Sequence, residues 1–182
     1  MAVDMAWGLA EEVILVLPHG RPWDGRPVTG AVSGGSTRLA SAVAGVAALS
    51  ANIRIVLIHD AAHPLATERE FREVIEAVRA GADAAVPFVP TPDVIKRRAS
   101  DSRLTTVGRD GLGLALVPMG FSRSALESAY DDVAGSPTSA WEDSMLIENL
   151  GGRVVAVAGS RQNFHVVTDE DLRIARALAK LD

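Results

Sequence analysis

The chain has 182 residues, which is enough for one domain with one core and too few for two full domains. Its 48% hydrophobic and 23% charged residues are typical of a globular protein, and a net charge of −5 without a basic run argues against a nucleic-acid partner. The sequence contains no cysteine, which excludes disulfides and thiolate sites and is typical of a reducing compartment. Its apolar runs are shorter than the roughly 20 residues that a membrane span needs, and residues 1–10 lack the pattern of a signal peptide. We therefore expect a cytoplasmic protein without a membrane partner.

Short β-rich runs alternate with longer runs of helical period, which predicts an α/β fold with a mostly parallel sheet and flanking helices. The predicted strands are Glu12–Leu17, Pro27–Val32, Ile53–Ile58, Ala84–Val89, Leu114–Val117 and Arg153–Val157. The predicted helices are Ser36–Ser50, Thr67–Ala80, Ser122–Ala134, Ser139–Leu150 and Thr168–Leu181. Three of them begin with a capping-box pattern, a hydroxyl followed three residues later by an acid: Thr67 with Glu70, Ser139 with Glu142, and Thr168 with Asp171.

The segment between Asp93 and Leu114 differs from the alternating pattern around it. It is polar, charged and rich in turn formers, including Arg109, Asp110 and Gly111. This composition predicts a protruding hairpin instead of further core, and a hairpin of this kind often serves an interface.

The first candidate site is the Gly-rich turn at 33–41, between a predicted strand and a predicted helix. Gly34 and Gly35 allow a ligand to approach the backbone, and the helix N-terminus offers free N–H groups. Arg38 and Ser41 on the first helical turns could then hold a phosphate or a base. The alternative is a tight strand-to-helix turn in which Arg38 is solvated.

The second candidate site follows the predicted strand Ile53–Ile58. Asp60 lies where open α/β sheets bind ligands and could hold Mg²⁺ or a ligand hydroxyl. A rival interpretation takes His59, Asp60 and His63 as transition-metal ligands, but an extended turn broken by Pro64 does not place the three on one helical face. Asp60 could also be a simple cap or turn residue.

Three basic side chains elsewhere are weaker candidates. Lys96 and Arg109 could neutralise a phosphate, yet both lie on or near the predicted hairpin, where solvated charges are ordinary. His165, within Asn163–Thr168, has no partner in the local pattern, and a single histidine is more often a satisfied residue than a catalyst.

Taken in order, these segments resemble the 2-C-methyl-D-erythritol 4-phosphate cytidylyltransferases over almost the whole chain. The motifs that carry the resemblance are Gly34-Gly35-Ser36-Thr37-Arg38-Leu39-Ala40-Ser41, His59-Asp60-Ala61-Ala62 with Pro64, Pro90 with Asp93 and Lys96, Arg109 before Pro118 and Phe121, and Gly151-Gly152 followed by Gly159-Ser160-Arg161-Gln162-Asn163 and Thr168-Asp169-Glu170-Asp171-Leu172.

The resemblance implies a Rossmann-like nucleotidyltransferase fold over residues 1–182 and a homodimer interlocked through the arm at 93–114. It also implies Mg²⁺-dependent transfer of CMP from CTP to a sugar-alcohol phosphate, with release of pyrophosphate. Position by position, the resemblance assigns the nucleotide to Gly34, Gly35, Arg38 and Ser41. It assigns the sugar phosphate to Asp60, Asp93, Lys96, Arg109 and His165, with Asp60 and Arg109 catalytic and Asp60 the metal ligand.

The chain departs from the family pattern in two ways. The family begins with a strand and a Gly-rich loop whose Arg and Lys grip the triphosphate, whereas residues 1–10 resemble the middle of the following helix. We therefore expect the loop and a central strand to be missing, either from a misassigned start or in a reduced form, and neighbouring strands to have unpaired backbone groups. Single positions are also altered: His63 replaces a basic residue, Val94 a Thr and His165 a Lys, Leu116-Val117-Pro118-Met119 replaces Gln-Thr-Pro-Gln, and Trp141-Glu142-Asp143 replaces a Thr-Asp-Asp/Glu motif.

Three hypotheses follow. The first is an active cytidylyltransferase, or a relative with a shifted acceptor, and the family resemblance puts it ahead. The second is a catalytically impaired relative that keeps the fold as a nucleotide-binding or dimerisation module. The third is an unstable remnant without cooperative unfolding.

Overall fold

The structure is a computed structural model that describes residues 2–134 and 142–180. Its helices are α1 Ala2–Trp7, α2 Arg38–Ala47, α3 Glu68–Arg79, α4 Arg123–Asp132, α5 Asp143–Asn149 and α6 Asp169–Leu178. Its strands are β1 Ile14–Leu17, β2 Gly30–Ser33, β3 Ile55–Ile58, β4 Ala84–Pro90, β5 Ile95–Arg98, β6 Leu104–Val107, β7 Gly113–Ala115, β8 Met119–Ser122 and β9 Val154–Ala158. The α/β class is confirmed.

The central sheet has five strands and mixed pairing. β8 pairs antiparallel with both β3 and β4, β7 pairs antiparallel with β4, and β9 pairs parallel with β4. The pairing is therefore mixed and not mostly parallel as predicted. The reason is topological: β3, β4 and β9 run in the same direction, but β8 lies between β3 and β4 and β7 lies beside β4.

β1 and β2 form a separate parallel pair with the register Ile14 to Gly30 through Leu17 to Ser33. Among the described strands, β1 pairs only with β2 and β3 pairs only with β8. Each of the two therefore has one side of its backbone outside a ladder, as any strand at the edge of a sheet has.

One predicted strand is divided in two. The apolar pattern predicts a continuous strand at Leu114–Val117, but β7 ends at Ala115 and β8 begins at Met119. Pro118 lacks the N–H that a ladder needs, so the ladder with β4 is interrupted there. β7 pairs with β4 before Pro118, and β8 pairs with β4 again after it and also with β3.

Two of the predicted capping boxes are confirmed. The hydroxyls of Thr67 and Thr168 accept from the N–H groups of Glu70 and Asp171, whose carboxylates accept in return from the two threonine N–H groups. The third predicted start falls on Ser139, which lies outside the described residues. α5 begins instead with Glu142 as its N-cap, which accepts from Ser144 N at 2.7 Å.

The arm at 93–114 is a β-hairpin, as predicted. β5 and β6 pair antiparallel from Ile95 opposite Val107 to Arg98 opposite Leu104, and their side chains are exposed apart from those of Ile95 and Val107. The hairpin leaves the sheet after β4 and returns to it through β7.

The main core lies between the central sheet and helices α2, α4 and α5. Its fully buried members include Ala84 of β4, Phe121 of β8 and Leu126 of α4. α3 packs on the opposite face through Val74 and Val78. Of the helices in the described ranges, none is long and apolar enough to cross a membrane.

Candidate functional site

The carboxyl ends of β3, β4 and β9 lie at one edge of the central sheet, because the three strands run in the same direction. We call this the carboxyl edge. Asp60 follows β3, Asp93 follows β4, and His165 lies in the loop after β9. In open α/β sheets this edge is where ligands bind, so the topology brings predicted site residues from distant parts of the chain to one side of the molecule.

Asp60, His63 and His165 form a cluster at the carboxyl edge. Each offers a potential ligand atom, and these atoms lie within 4.8 Å of one another. The His63 and His165 rings are stacked, with centroids 4.8 Å apart and planes 7° from parallel. The turn and the loop are joined by a hydrogen bond of 2.8 Å from Val166 N to Ala62 O.

His59 does not take part in this cluster, although the rival sequence interpretation grouped it with Asp60 and His63. Its ring lies against Phe71, with centroids 5.4 Å apart, and both ring nitrogens are buried without a hydrogen-bond partner among the described residues. Burial and, to a lesser degree, the neighbouring His63 lower the pKa of His59 to about 4. Burial also lowers the pKa of His63, with His165 acting in the same direction.

A buried acid fixes the loop that carries His165. Glu70 Oε1 accepts from Ser160 N at 3.0 Å and from Asn163 Nδ2 at 3.2 Å, while its Oε2 accepts from Thr67 N at 2.9 Å. Asn163 Nδ2 also donates to Val117 O at 2.6 Å. The sequence pattern identified Glu70 only as a helix cap and Asn163 only as part of a family motif, because both long-range bonds depend on the sheet order.

The Gly34–Gly35 turn is shaped by close packing on α2. A Cβ on Gly35 would lie 2.4 Å from the Ala40 Cβ, and one on Gly34 would lie 2.8 Å from the Ser41 Oγ. Ser41 Oγ accepts from Gly35 N at 3.2 Å and donates to Thr37 O at 2.9 Å. The glycines are therefore required by the tight strand-to-helix turn itself, and Ser41 already has local partners.

Arg38 forms an ion pair, whereas the alternative interpretation of this turn expected its side chain to be solvated. Its Nη1 lies 2.6 Å from Asp143 Oδ2, in an ion pair that lacks the angle of a good hydrogen bond. Asp143 is buried, and its Oδ1 accepts from Tyr130 Oη at 2.9 Å. Burial, followed by the charge of Asp143, raises the pKa of Tyr130. Asp143 belongs to the Trp141-Glu142-Asp143 segment, where the sequence differs from the family resemblance. Its ion pair positions Arg38, the arginine predicted to bind the nucleotide.

The candidate residues of the arm are exposed and make contacts within their own segment. Lys96 Nζ donates to Thr106 Oγ1 at 2.7 Å, and Arg109 Nη1 donates to Pro92 O. Asp93 N donates to Thr91 Oγ1 at 3.3 Å. The hydrogen bonds and ion pairs of the described residues do not join these three side chains to Asp60. Both cations are paired with neutral groups, and neither forms an ion pair with an acid among the described residues.

Asp60 has the chemistry of a Mg²⁺ ligand. Its carboxylate is exposed, and Oδ1 accepts only a short-range bond of 2.8 Å from Ala62 N, so Oδ2 has no protein donor among the described residues. Mg²⁺ is commonly held by one or two carboxylates together with substrate phosphates. The donor set at Asp60 therefore fits this ion in the presence of a nucleotide.

Comparison with known proteins places the chain in a family. The profile of IspD, 2-C-methyl-D-erythritol 4-phosphate cytidylyltransferase, matches residues 6–180. The enzyme of this name from Salinibacter ruber is 36% identical over 151 residues, which cover 83% of this chain and 63% of that protein. That from Syntrophus aciditrophicus is 33% identical over 184 residues, covering 94% and 78%.

The fold agrees with these sequence matches. The crystal structure of 2-C-methyl-D-erythritol 4-phosphate cytidylyltransferase from Thermus thermophilus superposes with a TM-score of 0.88 at 30% identity, over 98% of this chain and 86% of that one. The matched region spans less than two thirds of the Salinibacter protein. The chain belongs to the 2-C-methyl-D-erythritol 4-phosphate cytidylyltransferase family.

Proposed function

We propose that this protein transfers CMP from CTP to 2-C-methyl-D-erythritol 4-phosphate, with release of pyrophosphate, in isoprenoid biosynthesis. The observation that carries the proposal is the family match over residues 6–180, together with the position of Asp60 at the carboxyl edge. The match covers only 63% of the Salinibacter protein, so the activity of that whole protein is proposed for this chain and needs a direct test.

The reaction requires two anions to be brought together. A phosphate oxygen of the acceptor attacks the α-phosphorus of CTP, a new P–O bond forms, and the bond to the β-phosphate oxygen breaks as pyrophosphate leaves. Repulsion between the acceptor and the triphosphate has to be offset by cations. The charges of Lys96 and Arg109 suit a phosphate, and Asp60 is the side chain that would hold Mg²⁺. When bound, Mg²⁺ neutralises phosphate charge and aligns the phosphates.

The nucleotide is proposed to bind beside the Gly34–Gly35 turn. The turn leads directly into α2, and the first N–H groups of a helix favour an anion. Arg38, held by the buried Asp143, would present its exposed guanidinium edge there, since 46% of its side chain is accessible. Asp93 and His165, at the same edge of the sheet, belong to the proposed acceptor side.

We also propose that the protein forms a homodimer through its arm. Three apolar side chains of the arm are exposed, with Val94 at 67%, Leu104 at 61% and Leu114 at 62%. A second copy of the same arm would cover them. A cytoplasmic location and the absence of a nucleic-acid partner remain predictions from composition.

Pyrophosphate release tests the proposed activity. Purified protein is incubated with CTP, Mg²⁺ and 2-C-methyl-D-erythritol 4-phosphate, beside the variants Asp60→Asn and Asp132→Asn. We expect turnover that Asp60→Asn abolishes and that Asp132→Asn retains, because Asp132 is an exposed acid at the end of α4. Absence of turnover with this acceptor and with related sugar-alcohol phosphates would contradict the proposal.

A second function is favoured by the loss of cationic side chains. His63 and His165 occupy positions where the family pattern has basic residues, and Arg38 is already paired with Asp143. A protein that binds a cytidine nucleotide or dimerises without catalysis agrees with these features. It would bind CTP in calorimetry, or associate through the arm, while releasing no pyrophosphate.

A further inference from the structure

Two stacked imidazoles and a carboxylate meet at the carboxyl edge. The rings of His63 and His165 are 4.8 Å apart, and Asp60 completes a set of ligand atoms within 4.8 Å of one another. His63 is 8% exposed, and its Nδ1 is buried without a hydrogen-bond partner among the described residues. Buried polar atoms in proteins are normally paired, so this nitrogen calls for a partner that the protein's own side chains do not supply.

The donor types distinguish between classes of metal. Imidazole nitrogen together with a carboxylate suits zinc and its neighbours in the first transition series, whereas Mg²⁺ prefers oxygen ligands throughout. Two histidines and one acid are also a common three-ligand set of zinc sites that keep a fourth position open. We propose that Asp60, His63 and His165 form a binding site for a divalent transition metal of the zinc class.

The backbone holds the three ligands in place before any metal arrives. His63 N donates to Asp60 O at 2.9 Å and Val166 N donates to Ala62 O at 2.8 Å, so the turn and the His165 loop are tied together. Glu70 anchors the same loop through Ser160 and Asn163. Because folding already orders these backbone segments, metal binding loses less conformational entropy than it would in a flexible chain.

Metal binding requires a local side-chain rearrangement. The lone pair of an imidazole nitrogen lies in the ring plane, and the two planes are 7° from parallel, so the His165 ring has to turn out of the stack before both rings can bind one ion. Zinc bonds of about 2.0–2.1 Å place two donors of a tetrahedral ion roughly 3.3 Å apart, so the most distant pair has to approach by about 1.5 Å. Asp60 and His165 are both exposed and can rotate, whereas the buried His63 provides the fixed point. The fourth position would face the carboxyl edge and take a water or an oxygen of a bound anion.

The proposed transition-metal site shares Asp60 and His165 with the proposed transfer site, but it uses a different set of ligands. By the family resemblance, His63 and His165 stand where a basic residue and a lysine are expected. A Mg²⁺ ion held with a nucleotide would use Asp60 without the histidines. Transition-metal binding is therefore measurable without nucleotide, acceptor or turnover.

Cobalt titration tests the site directly. Protein freed of any affinity tag and of metals is titrated with Co²⁺, whose visible absorption is strong when it has four ligands and weak when it is hydrated. We expect saturation near one ion per chain, loss of the band on adding Zn²⁺, and no loss with a large excess of Mg²⁺. His165→Ala is expected to weaken Co²⁺ binding by at least about ten-fold.

The controls separate this site from nonspecific histidine binding. His19→Ala removes an exposed histidine that is not one of the three proposed ligands, so it should leave the Co²⁺ titration unchanged. Asp60→Asn should weaken Co²⁺ binding, as His165→Ala does. Both ligand variants are at exposed positions, so cooperative unfolding should be retained and can be checked by circular dichroism. Equal affinity in wild type and His165→Ala, or displacement of Co²⁺ by Mg²⁺, would overturn the proposal.

Discussion

Asn163 Nδ2 lies 3.2 Å from Glu70 Oε1, and this buried contact joins the loop after β9 to the first turn of α3. Glu70 is fully buried and also accepts from Thr67 and Ser160. One carboxylate thus caps a helix and positions the loop that carries His165. Both the local and the long-range bonds depend on it.

We expect Glu70→Ala to lower the free energy of unfolding by about 2–4 kcal/mol, because several buried donors lose their acceptor at once. The matched control is Glu68→Ala on the same helix, where an exposed pair with Arg72 contributes less than about 1 kcal/mol. Urea unfolding of both variants measures the difference. Equal losses would show that the buried network does not stabilise the protein.

Tyr130 should resist ionisation while the protein is folded. It is the single tyrosine of the chain, so tyrosinate absorbance reports on this residue alone. Burial and the charge of Asp143 raise its pKa above the ordinary value of 10.0. The unfolded chain therefore binds fewer protons than the folded one above pH 10.0, and stability falls as pH rises through this range.

A spectrophotometric titration checks this in native buffer and in denaturant. In denaturant, we expect Tyr130 to ionise near the ordinary tyrosine pKa of 10.0. In native buffer, we expect Tyr130 to ionise only when the protein unfolds. Tyr130→Phe should remove this component of the alkaline loss, at the cost of one hydrogen bond to Asp143. A normal titration of the folded protein would contradict the buried pair.

The capping box of α6 predicts a change on the acid side. Hydrogen bonds from the Thr168 hydroxyl, and from the N–H groups of Val167 and Thr168, lower the pKa of Asp171 below 3.8. Its contribution to stability is present above that value and is lost as pH falls through the folded pKa. Asp171→Asn should flatten the acid limb of a stability profile, whereas Asp169→Asn at the same helix end, outside the reciprocal cap, should flatten it less.

His165→Lys separates the two proposals for the carboxyl edge. An ammonium group cannot take the place of an imidazole ligand at neutral pH, so Co²⁺ binding should fall as in His165→Ala. The added full charge should strengthen binding of the acceptor phosphate, lowering its KM about ten-fold or more if one charge-assisted bond forms.

His19→Lys is the matched control, since it adds the same charge at an exposed histidine that is not one of the three cluster residues. The two histidine variants are compared in steady-state kinetics and in the cobalt titration. An equal drop in KM for both would show that only net charge matters.

The arm predicts concentration-dependent association. Leu104 and Leu114 are exposed apolar residues at its two ends, and a charge on either should oppose burial against a second copy. Sedimentation of Leu104→Asp and Leu114→Asp should show a shift towards monomer, while Leu172→Asp on α6, also exposed, should sediment as wild type. A wild-type protein that stays monomeric at high concentration would contradict the dimer.

Local chemistry allowed several features to be predicted from the sequence alone. The capping boxes at Thr67 and Thr168 depend on atoms three residues apart, and the hairpin at 93–114 on a run of polar and turn-forming residues. The order of short motifs was enough to predict the family and its α/β class, because each motif combines residue types that a ligand or a tight turn requires. These features need no knowledge of which strands are neighbours.

Contacts between distant segments were decided by the tertiary structure. β8 enters between β3 and β4, which makes the pairing mixed, and Pro118 divides a run that the apolar pattern predicted to be one strand. The same sheet order brings His165 against His63, a contact that the sequence did not indicate because the two residues are about a hundred positions apart in the chain. Sequence periodicity reports which face of an element is apolar, but the partner across that face is set by packing of the whole chain.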